Sequence, residues 1–215
     1  MRATREKILE EAAILRSRFP DAKCTINFKN RFELLVCTVL SAQTTDKRVN
    51  MVSPSLFAAF SGPKEMAKAP LEEIENIIKP LGMYKSKAKS IQTLSKQLEG
   101  FGWQVPGSMQ ELVKLRGVGR KTANVVLAEG FSVPGFPVDT HVTRVTSRLR
   151  WHSEWNDPHP DPAVIEKELC SIFPPESWRT VSCTLIEFGR EICHAKNPDC
   201  ASCPLKDLCP LVKRG

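Results

Sequence analysis

The sequence predicts an all-α protein, and three observations lead there. Apolar residues recur at helical spacing through most of the chain, and polar residues stand where helix N-caps are needed, twice with a Glu three positions on. No stretch shows the two-residue alternation of a half-buried strand.

Taken in order, residues 4–18 put Ile8, Ala12, Leu15 and Phe19 on one face of an amphipathic helix that Pro20-Asp21 ends. Asn30 with Glu33 forms a capping box opening Phe32-Glu-Leu-Leu-Val-Cys-Thr-Val-Leu-Ser-Ala42. That segment is apolar nearly all round, so it is expected at the centre of the core, with Cys37 as a small core residue. It stops at the polar patch Gln43-Thr44-Thr45-Asp46, and another helix begins near Lys47. Ser61-Gly-Pro63 reads as a turn, and residues 71–78 as a helix with Ile74, Ile77 and Ile78 inward. After Leu81-Gly-Met-Tyr-Lys-Ser-Lys-Ala88, Ile91, Leu94 and Leu98 mark the next helix.

Ser108 with Glu111 is a second capping box, followed by Leu112 and Leu115 at helical spacing. A short loop over residues 116–119 leads to a helix from near Arg120, with Gly130 expected just beyond its end. Ser132-Val-Pro-Gly-Phe-Pro137 is linker-like. Val142, Val145 and Leu149 form the apolar face of the following helix, with Asp139 at its N-cap. A proline-bearing loop over 158–162 precedes helices near 163–173 and 178–193.

The chemistry concentrates in Leu115-Arg-Gly-Val-Gly-Arg-Lys-Thr-Ala-Asn-Val-Val-Leu127. Gly117 and Gly119 read as residues with φ > 0, and alternating glycines before a helix leave backbone N–H groups facing outward at its positive end. That arrangement suits a phosphate, so Arg116, Gly117, Val118, Gly119 and Arg120 are candidate contacts to a nucleic-acid backbone. Arg120 and Lys121 sit in the first helical turn, where cations oppose the macrodipole and carboxylates are preferred. A sequence chosen for helix stability alone would not place them there. The plain alternative is a helix–turn–helix whose basic residues are solvated. A fainter echo lies upstream, where Gly82 aligns with Gly117 and Ala88 with Ala123. There Met83 and Tyr84 read equally as exposed wedges for a base stack or as core. Gln43, at the end of the central helix, points towards whatever cleft the core presents, or is simply solvated.

The chain carries eight cysteines. Cys193, Cys200, Cys203 and Cys209 form C-x₆-C-x₂-C-x₅-C, while Cys24, Cys37, Cys170 and Cys183 are scattered. Four thiols so close imply a metallocentre, either zinc or [4Fe–4S]. Only one C-x₂-C knuckle is present, which favours iron–sulfur over zinc without deciding the metal. Over 215 residues the formal net charge is +7, which suits a polyanionic partner. No apolar run approaches membrane-spanning length, and the acidic N-terminal segment fits neither a secretory signal nor a transit peptide. The expected location is cytoplasm or nucleoid in a bacterium or archaeon, otherwise nucleus or mitochondrion.

With these motifs together the chain closely resembles the endonuclease III family of helix–hairpin–helix DNA glycosylases. The likeness rests on Leu40-Ser-Ala-Gln-Thr-Thr-Asp46, Gly82-Met-Tyr-Lys-Ser-Lys-Ala88, the 115–127 hairpin, Val138-Asp-Thr-His141 and the cysteine spacing. It implies two helical domains with a DNA cleft between them. One is a six-helix barrel near residues 24–133 holding the hairpin; the other joins 1–23 to 134–215 and carries a [4Fe–4S] cluster on the four C-terminal cysteines. It implies a monomer acting on damaged double-stranded DNA, with Lys121 as nucleophile and Asp139 as its carboxylate partner. Gln43 would fill the gap left by a flipped base, and Met83 would wedge the stack, where relatives often have Leu or Ile. Lys196 and Lys206 would face phosphates from the cluster loop. Glu187-Phe-Gly-Arg190 departs from relatives that often show His before the Gly.

Two other readings fit parts of the pattern. Adenine glycosylases of the same superfamily generally lack a lysine at this position and extend further, whereas Lys121 is present and the sequence ends six residues past Cys209. A non-catalytic DNA-binding module with a structural metal would have no use for Lys121 together with Asp139.

Overall fold

The computed structural model describes residues Met1–Val212, and among them the regular structure is entirely helical. The last three residues of the domain expected over 134–215 lie outside the described residues. Helix α1 spans Arg5–Arg18, capped by Thr4, whose hydroxyl accepts from the Lys7 N–H. Helix α2, Arg31–Leu40, is capped by Asn30 Oδ1 accepting from Glu33 N at 2.9 Å. The Glu33 carboxylate reaches back one residue further than expected, to Lys29 N at 2.7 Å. Every residue from Phe32 to Leu40 is buried, as its apolar circumference requires.

Helix α3 is Asp46–Ala59, and α4 is Pro63–Lys68. The sequence reads only a turn at Ser61-Gly-Pro63; the proline is the first residue of α4, where its fixed φ and missing N–H suit a helix start. Helix α5, Leu71–Ile78, passes through a 3₁₀ turn at Lys79–Leu81 towards α6, Tyr84–Gln97. Helix α7 is a single turn, Met109–Leu112, shorter than the spacing of Leu112 and Leu115 implies. Helix α8 is Arg120–Gly130. Helices α9, Thr140–Leu149, α10, Pro162–Ile172, and α11, Trp178–Glu191, complete the chain.

The polypeptide divides after Cys24 and after Val133. In the unit 25–133, α2 packs against α3, α6 and α8, and α6 packs in turn against α4 and α5. Gly130 corrects an expectation here. It is the last residue of α8 rather than the residue beyond it, and a Cβ there would stand 3.1 Å from Leu34 Cδ2. The glycine permits the close crossing of α8 on α2; the left-handed residue falls later, at Ser132, with φ 55°.

The other unit joins α1 to α9–α11 around Ile8, Leu15, Val142, Val145, Trp151 and Phe188. At its centre the Trp151 indole N–H donates to Glu11 Oε2 at 2.7 Å, and Lys7 Nζ lies 3.6 Å from Glu11 Oε1. Burial pushes the Glu11 carboxyl up, opposed by Trp151 and Lys7. A carboxyl raised in this way holds its proton more tightly folded than unfolded. Stability therefore falls as pH climbs from about 4.5 through the folded value and stays at the lower level above it. Glu11→Gln keeps an acceptor for Trp151 and removes the titration, so its unfolding free energy should equal or exceed wild type at pH 7.5 and lose that fall. Glu11→Leu orphans the indole N–H and should cost about 1–3 kcal/mol in denaturant titrations.

Candidate nucleic-acid interface and cysteine centre

The hairpin loop before α8 is held by one glycine and one glutamine. Gly117 has φ +80°, and a Cβ there would meet Val39 Cγ1 at 3.2 Å and Ser90 Cβ at 3.3 Å, so conformation and space both demand glycine. Gly119 differs from expectation. Its φ of −93° and ψ of 178° are open to any residue, and nothing lies within 4 Å of a Cβ built there. It serves as the N-cap of α8 and has no side chain to offer the first helical N–H groups, unlike Asn30, Ser108 and Asp139 at their helices. Val118 is also placed otherwise than as a facing contact: its side chain is buried and its N–H donates to Leu115 O at 3.1 Å, so it anchors the loop. Arg116, Arg120 and Lys121 are exposed.

Gln97, at the end of α6, carries no sequence signal yet clamps this loop. Its Oε1 accepts from Arg116 N at 2.7 Å, and its Nε2 donates to Lys114 O at 3.3 Å. Only the packing of α6 beside the hairpin reveals it.

The two other predicted contacts of this unit are exposed and strained. Gln43 has φ 52° and Met83 φ 45°, left-handed conformations that cost an ordinary residue about 1–2 kcal/mol each. Met83 is 54% exposed, which decides between wedge and core in favour of the surface, while Tyr84 is half-buried. The upstream echo extends to geometry: Gly82, like Gly117, has positive φ, and Ala88, like Ala123, is fully buried.

In the unit containing α9, Asp139 caps that helix. Both capping bonds, from His141 N at 2.8 Å and Val142 N at 2.9 Å, fall on Oδ1. The carboxylate is thereby fixed while Oδ2 takes no part in the cap. His141 Nδ1 lies 3.1 Å from Arg144 Nη2. Burial lowers the His141 pKa, Asp139 opposes this, and Arg144 and Arg190 add to it.

The four C-terminal cysteines are unbridged thiols. They lie within electrostatic reach of one another: burial first, then the proximity of Cys209, Cys193 and Cys200, pushes the Cys203 thiol up. Among the described residues no three His, Cys, Asp or Glu side chains are gathered tightly enough to grip a single ion. The all-sulfur donor set, backed by buried Ile192 and Leu205, suits an iron–sulfur cluster and equally a four-thiolate zinc. Two arginines of α9 that the sequence reading passed over grip the start of this loop. Arg144 donates to Cys193 O at 3.0 Å and Gly189 O at 2.8 Å. Arg148 donates to Cys193 Sγ at 3.2 Å, His194 O at 2.7 Å and Ala195 O at 3.0 Å. Their spacing of four on one helix face is the signal that could have found them. Lys7 Nζ adds a bond to Leu208 O at 3.0 Å, tying α1 to the same loop. Phe188, where relatives often show His, is buried with its ring 6.3 Å from that of Phe19. Lys196 and Lys206 are exposed on the loop.

A glycine hairpin on a helical unit and a four-cysteine loop on the other mark a class. Residues 36–175 match the model of the HhH-GPD superfamily base excision DNA repair proteins, and residues 193–209 match the iron–sulfur binding domain of endonuclease III. The chain belongs to the endonuclease III family. It is 47% identical over 192 residues to endonuclease III of Bacillus subtilis, covering 89% of this chain and 86% of that protein. To the Synechocystis enzyme it is 40% identical over 212 residues, covering 98% and 94%. The structure of a non-covalent endonuclease III–DNA complex superposes with a TM-score of 0.93 at 43% identity, covering 99% of this chain and 98% of that one. The same values hold for a trapped endonuclease III–DNA covalent intermediate.

The two hairpin glycines separate stability from binding. Gly117→Ala should lower unfolding free energy by about 1–3 kcal/mol, read by thermal melts. Gly119→Ser gives α8 a capping hydroxyl and should hold or raise the melting temperature, since Ser equals or betters Gly at an N-cap. That hydroxyl takes an N–H a phosphate would use, so affinity for duplex DNA should fall. An unchanged affinity would remove Gly119 from the interface.

Proposed function

We infer that this protein is a bifunctional DNA glycosylase and AP lyase of base excision repair, removing oxidised pyrimidines from double-stranded DNA and cutting the strand by β-elimination. The observation that carries the reading is a lysine in the first turn of α8, directly after the uncapped and unobstructed helix start at Gly119. Family membership supports it, as does the trapped covalent DNA intermediate of a relative.

The hairpin grips the backbone through Gly117, Gly119 and the cations Arg116 and Arg120, with Val118 as its anchor. With the lesion turned out of the stack, Gln43 takes the vacated place opposite the orphan base and Met83 wedges the neighbouring step. The Lys121 amine, in its unprotonated form, attacks sugar C1′. The C1′–N bond to the damaged base breaks and the base leaves with a proton; the C1′–O4′ bond then opens as the lysine nitrogen gives up a proton and O4′ takes one, and the resulting Schiff base acidifies C2′. Loss of a C2′ proton then expels the 3′ phosphate, and hydrolysis frees the lysine. Asp139, its Oδ1 held by two N–H groups, offers Oδ2 to the cationic sugar and to the protons in transit.

Cys193, Cys200, Cys203 and Cys209 would hold the [4Fe–4S] cluster, which supplies order to the loop rather than chemistry on DNA. Lys196 and Lys206 then face phosphates from that loop. Among the described residues no helix is long and apolar enough to cross a membrane. The likeness to bacterial endonucleases III supports a monomer associated with DNA, in the cytoplasm or nucleoid if the cell is bacterial or archaeal and otherwise in the nucleus or mitochondrion.

Lys121→Gln should abolish borohydride trapping on duplexes carrying an oxidised pyrimidine or an abasic site, while gel-shift binding survives. Trapping by this variant would refute the nucleophile, and wild-type binding without any nicking would leave only a binding module. Protein purified anaerobically should absorb near ~400 nm, and Cys200→Ser should lose the band. A colourless wild type containing zinc would overturn the cluster assignment.

A further inference from the structure

Gln43 and Met83 stand on separate turns of the chain, yet those turns share one hydrogen-bond acceptor. The Thr44 hydroxyl donates to the Leu81 carbonyl at 2.7 Å, across 37 residues of sequence. Lys87 Nζ donates to the same oxygen at 3.1 Å. Thr44 directly follows Gln43; Leu81 precedes Gly82 and Met83, and the Met83 carbonyl receives the Lys87 N–H at 3.1 Å. The knot therefore adjoins Gln43 through Thr44 and brackets Gly82 and Met83 between Leu81 and Lys87.

Lys87 is the unusual member. Its neighbours Lys85 and Lys89 are exposed, as lysines on a helix surface normally are, whereas Lys87 is 5% exposed. Burying an ammonium is costly unless it satisfies a group that needs it, and burial does push its pKa down. The group it satisfies is the carbonyl at the joint between the 3₁₀ turn and the strained pair Gly82 and Met83, with φ of 67° and 45°.

We propose that Lys87 and Thr44 are positioning residues, stapling the Gln43 turn to the Met83 turn through the Leu81 carbonyl so that both tips meet duplex DNA as one preorganised unit. This rests on the reading of Gln43 and Met83 as the groups that enter the duplex. Two tips on independently mobile turns would each lose freedom on insertion; a shared joint removes that loss before DNA arrives.

The test is amide hydrogen exchange on the free protein, paired with binding to a duplex carrying a tetrahydrofuran abasic analogue. In Lys87→Met, amides of residues 42–45 should exchange roughly tenfold faster although the lost hydrogen bond runs to Leu81 and to none of them. In Thr44→Val, amides of 82–84 should do the same, and Thr44→Ser, which keeps the hydroxyl, should restore wild-type rates. Both Lys87→Met and Thr44→Val should bind the duplex roughly five- to twentyfold more weakly, with Thr44→Ser again restored. Loosening confined to the substituted turn, or a silent Thr44→Val, overturns the staple; Thr44→Val decides the question if Lys87→Met does not fold. Gln43→Ala and Met83→Ala on the same duplex keep the two readings apart. If neither weakens binding while exchange remains coupled, the joint stands and the role given to its tips is what fails.

Discussion

The structure of the hairpin-bearing unit depends on how closely other segments can lie on α2. That helix is buried along nearly its whole length, and at two points a neighbouring segment lies so close to it that a Cβ has no free room. Gly130 brings the end of α8 onto Leu34, and Gly117 brings the hairpin loop onto Val39. The two contacts fix α8 at both ends against one rigid element, which sets where Lys121 stands. The same helix ends in the Gln43 turn. Three parts of the proposed DNA surface are thus referred to a single buried rod, and a rod packed on all sides transmits little of its neighbours' movement.

In the other unit α9 does comparable work by different means. Its N-cap is Asp139 and its polar face carries Arg144 and Arg148, whose bonds run to the carbonyls of Gly189, Cys193, His194 and Ala195. Carbonyls left over at the end of α11 and in an irregular loop need donors, and guanidinium groups supply several from one side chain. The crossing is close enough that a Cβ at Gly189 would stand 3.0 Å from His141 Cβ. Order in the cysteine loop and order at the Asp139 carboxylate consequently share one helix.

Much of this was legible in the sequence because it is local. Capping residues announce helix starts through side chain to backbone bonds within three residues, and Asn30, Ser108 and Asp139 all stand where they were read. Apolar spacing likewise located the buried rod. What could not be read were contacts joined only by the fold. Gln97 to the hairpin, Arg148 to the cysteine loop and Thr44 to Leu81 pair residues distant in sequence, each by a side chain that is unremarkable alone. Glycines were legible as punctuation but not as to kind. Gly117 is required by φ, Gly130 by the approach of a helix, and Gly119 by neither, and a one-letter code does not distinguish them.

That last distinction bears on what the hairpin is for. Helix α8 begins without a side-chain cap, which forgoes roughly a few tenths of a kcal/mol relative to a good capping residue, and cations in its first turn lose up to about 1 kcal/mol more against the dipole. Gln43 and Met83 add their own strain at two further exposed positions. Against a total stability of about 5–15 kcal/mol these are substantial concessions, and they fall on surface loops rather than in the core. A bound phosphate at the α8 N-terminus reverses both of its deficits at once, accepting from the uncapped N–H groups and neutralising the cations beside them. On the proposed reading, the free protein carries these local deficits where DNA would relieve them, and the missing cap is half of an interface rather than a flaw in a helix.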